Sequence, residues 1–182
     1  WLGTSQSPKE SLGKAIELGE RAVALDEKDA AVHAILAYLF AMTRQYDKAV
    51  SHAERALSLD SDSHSVLNNS GLALMFSSRL EEAVPLLERA MRLNPFAAQS
   101  HVVLCGAYRF VGRYEEAFEQ AKRAVELDPK NQIAQISLAD ASIRTGRDAE
   151  SRAAAAEVLK INPRFSIEQY AKGLPYKNPS QV

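Results

Sequence analysis

The chain has 182 residues, 46% of them hydrophobic and 25% charged, with 22 Lys and Arg against 23 Asp and Glu and a net charge of −1. That composition suits a packed core, in one domain or divided among the units of a short solenoid. Acidic and basic side chains alternate along the same segments, as in Glu81, Glu82, Glu88, Arg89 and Arg92, which argues against a basic phosphate-binding face and so against nucleic acid as a partner.

The sequence begins at Trp1 instead of Met, as expected of a fragment or a trimmed chain. Residues 11–25 carry helical spacing and read as the second helix of a repeat whose first helix is largely missing, with Trp1 as its remnant or a linker residue. Residues 30–42 form the longest apolar stretch, interrupted by His33 and closed by Thr43, Arg44 and Gln45. It is too short to span a bilayer, so no membrane insertion is expected.

From this point a period governs the chain. Tyr46, Leu80 and Tyr114 open like segments 34 residues apart, each followed by Ala49, Ala83 and Ala117. Ala15 and Ser151 extend that series, and Ala22, Ala56, Ala90, Ala124 and Val158 make a second one. Such a step makes each unit one supersecondary element. In residues 98–131, Leu104, Ala107, Tyr108 and Val111 mark a first helix and Ala117, Ala121, Ala124, Val125 and Leu127 a second.

Gly112 and Gly146 sit at the turn between the two helices and suit its left-handed backbone, which Arg44 and Ser78 fit less comfortably. Ala37, Gly71, Cys105 and Ala139 are small where antiparallel helices approach, and Phe40, Leu74 and Tyr108 fill the space beside them. Pro95, Pro129 and Pro163 stop the second helices, while Pro85 falls inside one and should cost it a hydrogen bond and bend it. After Phe165 the period ends. Ser166 to Gln169 has the form of a capping box, and Tyr170 and Ala171 after it can cover the last unit's apolar face.

These residues resemble the tetratricopeptide repeat, with His33 and His101 where that family often has tryptophan. The resemblance implies an all-α fold, a right-handed superhelical solenoid of antiparallel helix pairs closed by a C-terminal capping helix. The expected layout is a single solenoid over 1–182: a truncated repeat at 1–29, complete repeats at 30–63, 64–97, 98–131 and 132–165, and cap and tail at 166–182. The segment from Phe165 to Pro179 is also similar to the end of the repeat region that follows the catalytic domain in some bacterial class III adenylate or guanylate cyclases.

In the repeat family the first helices line a concave groove. The stripe left over from packing is Ala34, Tyr38 and Met42, then Asn68, Asn69, Leu72 and Phe76, then Val102, Gly106, Arg109 and Phe110, then Ile136, Asp140, Ile143 and Arg144. Its apolar members suit apolar side chains, Asn68 and Asn69 suit an extended backbone, and Arg109 and Arg144 suit a carboxylate. Some relatives clamp an acidic C-terminal tail with basic residues and asparagines spread over three units. Here Asn69 matches, but Ala34, Tyr38, Gln99 and Val103 replace the others, so that clamp is excluded.

The expected function is therefore a non-catalytic scaffold for a protein or peptide, or a regulatory or self-associating segment of a cyclase, with homo-oligomers allowed. The four histidines show no ligand spacing, no phosphate loop or nucleophile motif appears, and neither metal nor cofactor is expected. Lone Cys105 reads as a buried packing residue and is compatible with a cytoplasmic location.

Overall fold

The computed structural model describes residues 8–178, so the expected roles of Trp1 and of the last four residues lie outside it. Among the described residues there are ten helices: α1 (Pro8–Leu25), α2 (Ala30–Met42), α3 (Tyr46–Leu59), α4 (His64–Phe76), α5 (Leu80–Leu93), α6 (Ala98–Phe110), α7 (Tyr114–Leu127), α8 (Gln132–Arg144), α9 (Asp148–Ile161) and α10 (Ile167–Gly173). The helices α2, α4, α6 and α8 start 34 residues apart, so the period seen in the sequence is the spacing of the helix pairs. The chain forms two compact units, one running to Leu86 and including residues 175–178, the other Leu87–Leu174, with the division inside α5 just after Pro85. The helix runs on through this proline.

Local chemistry explains the helix ends. Asp29 accepts from Ala31 N and Val32 N at 2.9 and 3.1 Å, and Asn131 caps α8 through Ile133 N and Ala134 N. Ser63 and Ala97, at the same repeat position, make no side-chain cap. Arg44 and Ser78 have φ of 60° and 66°, where Gly112 and Gly146 have 77° and 74°. The same left-handed turn is thus built twice without glycine, at a cost to the L residue of about 1–2 kcal/mol. Ser166 accepts from Gln169 N at 3.3 Å, as the capping-box sequence predicts.

In the first unit α2 packs against α1, α3 and α4, with Leu36, Ala37, Ala49, Ala53, Ala56 and Leu67 fully buried. Gly19 lets α1 approach α2, since a Cβ there would stand 2.6 Å from Leu36 Cδ2. In the second unit α6, α7, α8 and α9 pack in succession around Leu104, Ala107, Ala117, Ala121 and Ala124. Cys105 is buried there, and burial pushes its thiol up to about 12, so it is an inert packing residue.

His33 and His101 tie α2 and α6 to the loops before them. His33 Nε2 donates to Glu27 O at 3.3 Å and His101 Nε2 to Pro95 O at 2.9 Å, and Gln135 repeats the contact with Pro129 O at 3.0 Å. An arginine series ties second helices together: Arg79 bonds Glu54 and Glu82, Arg113 bonds Glu88 and Glu116, and Arg147 bonds Glu115. These pairs are solvent-accessible and contribute little to stability.

Candidate functional site

The stripe along the first helices divides into two chemistries, one in each unit. In the first unit, Tyr38, Met42, Asn68, Asn69 and Leu72 are half-buried and Phe76 is buried. Burial raises the Tyr38 hydroxyl above its ordinary value. The buried Asn68 Oδ1 has no hydrogen-bond partner among the described residues. Ala34, expected in this stripe, instead packs with Ala56 and Val66.

Phe76 is covered by the chain's own C-terminal segment. Tyr176 is 9% exposed and meets Phe76 edge to face, with ring centroids 5.0 Å apart. Lys177 N donates to Phe76 O at 2.9 Å, and Tyr46 Oη donates to Pro175 O at 3.2 Å. Lys177 Nζ lies 5.8 Å from the centroid of the Tyr46 ring. The helix end provides the acceptor. The turn after α4 returns its N–H groups to Ala73, Leu74 and Met75, leaving Phe76 O for the tail.

In the second unit the stripe is charged. Asp140 takes Arg144 Nε at 3.0 and 3.1 Å on its two oxygens and has Arg109 Nε at 3.6 Å. The Arg109 guanidinium stacks over Phe110, 4.3 Å from its centroid. Two cations thus flank one carboxylate. Tyr170 of α10 lies within the field of both Arg109 and Asp140, and burial, the larger influence, raises its hydroxyl. Val102, expected in the stripe, is spent on packing: it is 7% exposed and sits with Ala124 and Ala134.

A cavity of about 460 Å³ lies between α8, α9 and the cap, lined by Ile136, Ala139, Asp140, Val158, Phe165 and Ile167 among others. Among the described residues no three His, Cys, Asp or Glu side chains converge as metal ligands do, and no helix is long and apolar enough to cross a membrane.

The structure therefore brings together residues that the repeat pattern does not relate. Tyr46, Tyr170, Pro175 and Tyr176 were absent from the expected stripe. The available signal was weak: an apolar Pro–Tyr pair beyond the cap, with no repeat position to bury it.

Paired helices on a fixed step, presenting one face of each first helix, define a helical repeat protein. The repeats are tetratricopeptide repeats: models of that family match residues 64–96 and 111–173. Solved structures share the fold. MamA aligns with a TM-score of 0.68 at 20% identity over 90% of this chain and 93% of that one. MamA 41-end from Desulfovibrio magneticus RS-1 gives 0.69 at 20% identity over 86% and 89%. YrrB, described as a TPR protein with an unusual peptide-binding site, gives 0.67 at 20% identity over 91% and 85%. No curated protein matches the sequence.

Proposed function

We propose that the chain is a non-catalytic scaffold that docks a peptide or protein segment on the first-helix face of each unit. The observation that carries this reading is the seating of Pro175, Tyr176 and Lys177 on Tyr46 and Phe76, because a surface that already holds polypeptide by side-chain and main-chain contacts has the chemistry to hold another. The half-buried Asn69 and Leu72 extend it in the first unit. In the second, the guanidinium groups of Arg109 and Arg144 suit a carboxylate on the partner. YrrB, of like fold, has a peptide-binding site by its own description, which supports the class of ligand. The repeat boundaries at 30, 64, 98 and 132, the cap at 166–182, a cytoplasmic location and the capacity for homo-oligomers belong to the same proposal, as does the absence of nucleic acid among the partners.

The test is affinity capture of a partner by the wild-type chain, Arg109→Glu and Leu72→Ala, with folding checked by circular dichroism. Loss of about tenfold or more in affinity for each variant is expected. Retention of wild-type affinity by both would remove the assigned surface.

A second reading is favoured by the sequence from Phe165 to Pro179, under which these repeats are a regulatory or self-associating part of a class III nucleotidyl cyclase. The upstream coding sequence decides it, and a gene without a cyclase domain would end it.

A further inference from the structure

The segment on Phe76 has a defined chemistry. Proline at 175 presents a carbonyl to Tyr46 Oη, the aromatic at 176 meets Phe76, and residue 177 supplies both an N–H to Phe76 O and a cation beside Tyr46. Leu174, just before it, is extended, with φ −72° and ψ 132°. The main-chain contacts at 175 and 177 hold the segment in place, while the buried Pro175, the Tyr176 ring and the Lys177 ammonium beside Tyr46 supply the side-chain selection: proline, aromatic, basic. We infer that the face formed by Tyr46 and Phe76 recognises an extended Pro–aromatic–basic segment, that residues 175–177 are its resident ligand, and that a partner carrying such a segment binds by displacing them.

This inference rests on the docking reading and adds the ligand sequence and a competition. A tethered segment has an effective concentration on the order of millimolar, so it holds the face against free peptides of similar strength. A competing ligand then shows an apparent affinity reduced by the fraction of molecules whose face is open. Regulation follows from that fraction. Anything that detaches the tail raises affinity for the partner without altering the docking residues.

The test uses the full chain and a fluorescent peptide of the sequence Gly173–Asn178, followed by anisotropy. Tyr176→Ala, which empties the face, should bind the peptide about tenfold more tightly than the wild type. Lys177→Pro, which removes the N–H given to Phe76 O, should also expose the face. A peptide with alanine in place of its tyrosine should bind neither variant. Equal affinity of wild type and both variants, or no binding to either variant at millimolar peptide, would overturn the inference. So would a wild-type dimer that Tyr176→Ala dissolves, because the tail would then occupy a second copy. If the peptide fails while capture of a partner still depends on Arg109 and Leu72, only the resident-ligand inference falls; if both fail, the docking reading falls with it.

Discussion

The two units build the same helix pair with different materials. The first closes its interhelical turns with Arg44 and Ser78 at positive φ, joins α2 to α3 through a pair of histidines, and covers an apolar docking face with the tail. The second closes the same turns with Gly112 and Gly146, replaces the second histidine by Gln120, and carries an arginine–aspartate cluster on its docking face. The repeat therefore fixes where the backbone goes and leaves open which interactions hold it there. Positions one or two periods apart can be exchanged to measure what each choice contributes.

The largest difference should appear in the core. Leu36 is fully buried beneath α1, whereas Leu138, at the same repeat position, is only half-buried. Leu36→Ala should cost about 3 kcal/mol and Leu138→Ala about 1 kcal/mol in chemical denaturation, because the cost follows the cavity left behind. Equal costs would mean that the terminal repeat is packed as tightly as the first complete one.

The turns come next. Gly112→Ala places a Cβ at φ 77° and should destabilise by about 1 kcal/mol, although no neighbouring atom lies within 4 Å of that Cβ. Ser78→Gly should stabilise by about 0.5 kcal/mol, the relief of the left-handed strain exceeding glycine's extra freedom in the unfolded chain. Thermal melts of both variants read the signs, and a destabilising Ser78→Gly would show that the serine side chain more than offsets its backbone strain.

The smallest effect concerns pH. His33 Nδ1 and His52 Nδ1 lie 2.9 Å apart, and since His33 Nε2–H is given to Glu27 O, neutral His33 accepts from His52. Burial, and then His33, hold the His52 pKa below its ordinary value, against Glu20, which raises it, and with Lys48, which lowers it further. The sign follows from the depressed value. As pH falls through the ordinary histidine range, the unfolded chain takes up a proton that the folded chain resists, so stability declines from about pH 7 to about pH 5. His52→Gln, which copies the His101–Gln120 contact, should flatten that decline in melts across this range. An unchanged slope would place the pH dependence elsewhere.

The sequence by itself determined the helix pairs, their 34-residue step, the small residues at close approaches, the left-handed turns and the cap at Ser166, because each depends on neighbours within one or two turns or on a position that recurs. It also marked the stripe in outline, since a residue unused in one repeat's packing is unused in the next. At the repeat position shared by Ala34 and Val102, both side chains pack against neighbouring helices. Only the tertiary structure decided what lies on the stripe. Arg109 and Arg144 converge on Asp140 from different helices, and Tyr176 reaches Phe76 across one hundred residues of chain. The tail has no second copy in the sequence, so no period announces its partner. Its place is set by a helix-end carbonyl left without an N–H and an aromatic ring left without cover, and both exist only once α3 and α4 have packed.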